Sequence, residues 1–233
     1  MVATKKRVPK SKETERSEVI ENYLKVIFVL NIEMGKQFAK TIDIATLLGV
    51  SLPSVTEMLQ KLSKLGYVDY IPRKGAVLRQ KALELAMKLV KRNRLIKLFL
   101  VNVLKVNYQK AHKIACQMEH IIDEEFEERL DAYLGYPKTC PLGSPIPRSL
   151  EDIATLEKSK TSLDEIDRPG KYVVLRILDI NRQTFDLLLK LGVHPGKVID
   201  IVEIFPDSSF LVNIDGKEHV LSLSILKSVI VRH

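Results

Sequence analysis

The stretch Thr139 to Arg148, TCPLGSPIPR, places three prolines within ten residues. It can be neither regular helix nor central strand, because proline lacks the amide donor that both ladders use. It also separates two periodicities. Before it, apolar residues recur at three-to-four spacing, and after it they come in short runs of strand length. The expected class is therefore mainly α with a small β part. The expected divisions are a basic disordered tail over 1–16, a unit of short helices and a hairpin over 17–80, a helical unit over 81–148, a polar linker over 149–168 and a small β-barrel over 169–233.

The first half begins with a helix from Ser17, carrying Val19, Ile20, Tyr23, Leu24, Ile27 and Leu30, and interrupted at Gly35. A short second helix, Thr41 to Leu48, is expected to bury Ile42, Ile44, Ala45 and Leu48. Gly49 then permits a left-handed turn cheaply. Ser51 caps a third helix with Pro53 in its first turn, and Val55, Met58, Leu59, Leu62 and Leu65 point inward. Two short helices around a Gly-Val-Ser turn have the spacing of a helix-turn-helix. A hairpin over 67–79 with a basic tip at Arg73 and Lys74 makes it winged.

The outward residues of the third helix, with its flanks, form the candidate DNA surface: Thr41, Ser51, Pro53, Ser54, Thr56, Glu57, Gln60, Lys61 and Lys64, joined by Arg73 and Lys74. Hydroxyl, amide and cationic groups of this kind meet base edges and phosphates. An ordinary three-helix packing unit with a solvated polar face is the alternative. The long helical stretch Gln80 to Leu104 carries Lys88, Lys91, Arg92, Arg94 and Lys97, read as a solvated face.

A helix over Gln109 to Leu134 holds the densest group of metal-binding side chains: His112, Cys116, Glu119 and His120. At about 100° per residue the last three share one sector, with His112 a turn below Cys116. The acidic run Asp123 to Glu128 is expected at the exposed end of that helix. Its apolar stripe from Ala111 to Leu134 suits either dimerisation or core packing within one chain. In the barrel, strands are expected over 172–180 and 198–205 and near 210–214, 219–223 and 229–232, with a short helix over 183–191 and a hairpin at Asp215-Gly216.

Charge and cysteine content narrow the classes. Half of the net +8 lies in the tail, where Lys5, Lys6, Arg7, Lys10, Lys12 and Arg16 face only Glu13 and Glu15. Such a tail either tracks nucleic-acid phosphates or solubilises a terminus. Two cysteines form no disulfide framework, which agrees with a reducing compartment. No run approaches the roughly 20 apolar residues of a membrane span, so a cytoplasmic protein without a membrane partner is expected.

These residues together resemble the diphtheria-toxin-repressor family of metal-dependent transcriptional regulators, over Ser17 to His233. The carriers are Asp43-Ile44-Ala45 through Ser51 to Thr56, Cys116-x-x-Glu119-His120, and Cys140-Pro141-x-Gly143-x-Pro145-Ile146-Pro147. Leu191-Gly192-Val193-His194-Pro195-Gly196 resembles the SH3-like module shared with ferrous-iron transport accessory proteins. The resemblance implies a primary metal site at Cys116, Glu119 and His120, with a first-helix position falling on Asn22. An amide oxygen there can bind metal but adds neither charge nor softness. It implies an ancillary site of which His112 is a remnant, since the companion positions read Asn93, Lys97, Asn181 and Thr184. Manganese-type members tend to carry a carboxylate in place of Cys116 and to lack the barrel, which points to iron.

The implied function is a repressor of metal-uptake genes that binds double-stranded operator DNA as a homodimer when Fe(II) is bound. Mn(II), Ni(II), Co(II) and Zn(II) are also admitted by a mixed sulfur, nitrogen and oxygen set. One alternative is a winged-helix regulator that no longer senses metal, or one that senses Mn(II) or Zn(II). A zinc or thiol enzyme is the other; against it, no phosphate loop, nucleophile elbow or second catalytic cluster appears, so no small-molecule substrate is expected.

Overall fold

The structure, a computed structural model, describes residues 12–157, 161–178 and 182–232. Residues up to Leu89 form one compact unit and residues from Val90 a second. The expected tail over 1–16 lies outside the described residues as far as residue 11. From Lys12 onward the chain is already helical, so the first helix begins five residues earlier than expected.

In the first unit, α1 (Lys12–Phe28) continues into a wider helical turn over Val29–Glu33. Its inward stripe of Tyr23, Leu24, Ile27, Phe28 and Leu30 is buried. The following helices are α2 (Thr41–Leu48) and α3 (Leu52–Lys64). Gly49 ends α2 in the left-handed conformation, φ 67°. Ile42, expected inside, is 59% exposed. It stands about 200° around the helix from Ile44, which is the residue that packs. The wing is the antiparallel pair β1 (Val68–Ile71) and β2 (Gly75–Leu78). It is stitched to the loop before α2 by reciprocal backbone bonds between Ala39 and Ala76.

α4 (Gln80–Leu98) runs from the first unit into the second and ends in another widened turn, Phe99–Val103. The single helix expected over Gln109 to Leu134 is two helices, α5 (Tyr108–Met118) and α6 (Glu124–Tyr133). The break has a local cause. Asp123 accepts the Phe126 amide at 2.8 Å, capping a new helix whose first turn holds Glu124, Glu125 and Glu127. Acidic side chains are favourable at that positive end.

The acidic run is exposed as expected at Asp123, Glu124, Glu125 and Glu128, with only Glu127 turned inward, whereas most of the basic run is not a solvated face. Arg94, Lys97, Glu127 and Asp131 are buried, and Lys91 and Arg92 are mostly so. Lys91 pairs with Glu127 at 2.9 Å and Asp131 at 3.2 Å, and Arg92 with Glu127 at 2.7 Å. Arg148 closes the group with 3.0 Å from Nε to Asp131 and a second bond from its terminal nitrogen. The acidic ladder on α6 is therefore its attachment to α4.

The proline-rich stretch packs tightly. Cys140, Leu142 and Ile146 are buried in the same core as Leu95, Ala111 and Ala115 and the sheet residues Val174, Ile199 and Val212. The Ile177 amide donates to Leu142 O at 3.0 Å, and Arg176 Nε to Ser144 Oγ at 3.0 Å. Gly143 has φ +78°, and a Cβ there would overlap the Leu175 carbonyl oxygen. Gly143→Ala should therefore lower stability by about 1–3 kcal/mol as overpacking against backbone; an unaltered urea midpoint would show that this seam yields.

The residues expected as a linker carry α7 (Leu150–Glu157) and the short strand β3 (Thr161–Ser162). A six-stranded antiparallel sheet follows, in the order β3-β8-β4-β5-β6-β7, formed with β4 (Gly170–Ile177), β5 (Val198–Ile204), β6 (Phe210–Ile214), β7 (Lys217–Leu221) and β8 (Val229–Arg232). Helix α8 (Arg182–Lys190) precedes Gly192, and α9 (Leu223–Leu226) precedes β8. The β6 and β7 strands meet at Ile214 and Lys217, so Asp215 and Gly216, both at positive φ, form the expected two-residue hairpin. The ends of the strand expected over 172–180 and the barrel position Asn181 lie outside the described residues. No single described helix is long and apolar enough to cross a membrane.

Candidate functional site

On the first unit, Ser51 Oγ accepts the Ser54 amide at 3.3 Å and lies 2.8 Å from Ser54 Oγ, which fixes the start of α3. Val55, Leu59 and Leu62 face the core, so Pro53, Ser54, Glu57, Gln60, Lys61 and Lys64 are left outside and exposed. Thr41 and Thr56 are half-buried, and Thr56 turns its hydroxyl to Leu52 O at 3.1 Å. Arg73 and Lys74 are exposed at the wing tip, with Arg73 at φ 67°. The face of α3 thus offers hydroxyl, amide, carboxylate and ammonium groups in a row, and the wing adds two cations. A row of this kind suits the floor and rim of a nucleic-acid groove.

In the second unit, α5 presents His112 and Cys116 one turn apart, with Cys116 Sγ 3.6 Å from His112 Nε2. Asn93 of α4 donates to the same sulfur at 3.6 Å. Glu119 and His120 lie beyond the end of α5, in the turn that precedes α6. Glu119 is fully buried, and its Oε1 is 3.5 Å from His120 Nε2. The expected ligands therefore come together in two pairs, Cys116 with His112 and Glu119 with His120. Among the described residues, no three His, Cys, Asp or Glu side chains gather closely enough to hold a metal ion. Asn22 is half-buried on α1 in the first unit.

Lys97 occupies the neighbourhood of His112. Its Nζ donates to Tyr108 Oη at 3.4 Å and stands 5.8 Å over the Tyr108 ring, whose centroid is 6.4 Å from that of His112. Only 7% of Lys97 is exposed. A buried ammonium and the Asn93 amide thus stand on α4 where the family resemblance would put an imidazole and a carboxylate. Thr184 is on α8. Lys97, expected on a solvated face with the rest of the basic run, and Asn93 both turn inward. Their signal was present in the α4 periodicity, since both sit on the side of Leu89, Val90 and Ile96 rather than opposite to it.

Comparison with known proteins adds the following. Residues 15–76 match the iron-dependent repressor N-terminal DNA binding domain, residues 79–148 the iron-dependent repressor metal binding and dimerisation domain, and residues 161–233 the FeoA domain. An uncharacterized HTH-type transcriptional regulator of Methanocaldococcus jannaschii is 37% identical over 118 residues, 51% of this chain and 94% of that protein. The iron-dependent repressor IdeR of Mycobacterium leprae is 27% identical over 213 residues, 87% of this chain and 91% of that one. Among solved structures, ScaR with bound Zn2+ aligns at 32% identity and a TM-score of 0.76, covering 91% of this chain and 98% of that chain. The manganese regulator SloR aligns at 27% identity and a TM-score of 0.76, covering 91% and 97%.

Proposed function

Since the chain belongs to the iron-dependent repressor family of metal-dependent transcriptional regulators, we propose that it represses metal-uptake genes by binding double-stranded operator DNA as a homodimer when Fe(II) is bound. The observation that carries the metal reading is the buried Glu119–His120 pair, placed directly after the helix that bears Cys116. A carboxylate and an imidazole removed from water in contact with each other, three and four residues after a thiol, are donor types that a divalent transition metal satisfies. Cys116, Glu119 and His120 would hold it. The bound cation supplies the positive charge that lets these groups stay deprotonated together.

The thiol favours Fe(II) and its later neighbours Co(II), Ni(II) and Zn(II) over Mn(II). The barrel adds nothing to that choice, because a protein described as a manganese regulator aligns across the same length. The iron reading thus stands on Cys116 alone. The operator surface is α3 with Arg73 and Lys74. The proposed face for the second copy is on α6, where Phe126 and Tyr133, two turns apart, are exposed. A DNA-binding regulator of this kind works in the cytoplasm.

The ancillary positions do not fit a second cation. Lys97 places a buried ammonium beside Tyr108 and His112, and like charges at that range repel strongly where little water screens them. Titration of the apoprotein should find one tight equivalent of metal per chain. Two tight equivalents would remove Lys97 from this role.

The test of the function itself is metal analysis of anaerobically purified protein, coupled to an operator titration with and without chelator. Full operator binding by metal-free protein would favour the second reading, a regulator in which the cluster is structural. The Asn93 and Lys97 substitutions are the observations that keep that reading in view.

A further inference from the structure

The wing is a two-stranded ribbon of four residues a side, β1 paired with β2. Such a ribbon holds its direction poorly by itself and needs an anchor outside its own ladder. Anchors from two other segments meet at Ala76. One is the reciprocal pair of backbone bonds with Ala39, in the segment that leads into α2. The other is a side chain. Asn31, in the widened turn at the end of α1, donates from Nδ2 to Lys36 O at 3.0 Å and, across 45 positions of sequence, to Ala76 O at 3.4 Å. Both acceptors are carbonyl oxygens, so the carboxamide can stand only with its nitrogen toward them. Lys36 is tied in turn to α2 by a 2.9 Å ion pair with Asp43. Gly75 lets the wing come this close, since a Cβ there would lie 2.4 Å from Ala39 O.

Ala76 follows closely on Arg73 and Lys74, the exposed cations of the wing tip. The turn that carries them is tight. The Lys74 amide donates to Ile71 O at 3.1 Å, and Arg73, at φ 67°, takes the left-handed position of a turn opened by Pro72. The tip therefore follows its anchor. We propose that Asn31 is a positioning residue for DNA binding: its carboxamide latches the wing to the end of α1 and so sets where Arg73 and Lys74 meet the phosphate backbone. Asn31 is half-buried and acts through those two cations. The latch draws the end of α1, the segment before α2 and strand β2 to one point, so the wing keeps its place relative to the helix-turn-helix. The inference rests on the reading that the wing tip contacts DNA, and adds the residue that aims it.

The experiment follows how the affinity of the full-length protein, with Co(II) present, for a mixed-sequence duplex of about three helical turns falls with salt between about 50 and 200 mM. Each phosphate contact contributes about 0.9 to the slope of log affinity against log salt, so losing both wing contacts should flatten it by up to about 1.8 per chain. Asn31→Leu keeps the branching of the side chain and removes both donors, and Asn31→Ala removes them and crowds nothing. Both should flatten the slope toward that of the Arg73→Ala/Lys74→Ala double variant. Adding Asn31→Leu to the double variant should flatten it no further, because the latch acts through the residues already removed. A native slope in both Asn31 variants beside a flattened one in the double variant overturns the proposal and leaves the wing reading in place. So does an equal loss from Asn31→Leu when the wing cations are already gone, which marks a role in folding alone. If the double variant itself keeps the native slope, the wing reading falls and the proposal with it.

Discussion

Cys116→Ala, or Glu119→Gln, makes operator affinity the same with and without chelator. In the unaltered protein the two measurements should differ by roughly 5-fold to 150-fold, the range that about 1–3 kcal/mol of coupling between two sites produces. Alanine removes the one soft donor of the group. Glutamine keeps the size of Glu119 but leaves a neutral amide in a fully buried position, 3.5 Å from His120 in the native arrangement. Neither change touches the first unit, whose α3 cap at Ser51 and whose wing are built from residues before Leu89. Metal-free affinity should therefore stay at the native metal-free value. Gel-shift midpoints with Fe(II) or Co(II), taken for each variant with and without chelator, check this. A variant that still shifts its midpoint with metal removes that residue from the switch.

The winged helix was legible because its signals are local. Gly49 at positive φ, Ser51 as a cap and the alternating hairpin each depend on residues within a few positions of one another. The same holds for the Asp215-Gly216 hairpin. The break between α5 and α6 was harder to see, because the apolar stripe from Ala111 through Ile122 to Leu130 keeps helical phase across it. Its local signal was Asp123 followed by glutamates, a helix start inside an apparent helix. Helix α7 had such a signal too. Ser149 and Asp152 bond each other's backbone amides at 2.8 and 3.3 Å, a reciprocal cap that a polar linker would not need. Burial pushes the Asp152 carboxyl up, but the Arg148 and Ser149 amides that donate to it, with the Ser149 hydroxyl and the Arg148 charge, hold it below the usual aspartate range.

The pairing of the charged residues was not legible, and the reason is physical. Arg92 and Glu127 are 35 positions apart, and Arg148 and Asp131 come from a loop and a helix. A charge on an amphipathic helix reads as solvated unless its partner is known. The candidate site shows the same limit. Residue types and spacing located His112, Cys116, Glu119 and His120, but which of them face each other depended on where α5 ends.

Asp131→Ala should cost about 3–5 kcal/mol, the loss expected when one member of a buried charge group is removed and its partners stay. Asp131 is 2% exposed and receives Arg148 twice and Lys91 once. Alanine leaves both cations facing a site with little water. Lys91 keeps Glu127 at 2.9 Å, and Arg148 keeps the Pro137 carbonyl at 3.2 Å, which places the loss at the lower end of the range. The pH dependence follows from Lys91. Burial by itself would lower its pKa, but Glu127 and then Asp131 outweigh burial and raise it above the ordinary lysine value. A raised folded value contributes stability that is fully present below the unfolded pKa of about 10.4 and is lost as pH rises through the folded one. Native stability should thus decline in the alkaline range, and the variant should decline less there, having lost one of the carboxylates that holds the lysine charged. Urea unfolding followed by circular dichroism near pH 7 and near pH 10 measures both effects. A loss below about 1 kcal/mol at neutral pH would place this group with ordinary surface pairs, and α6 would then need another attachment to α4.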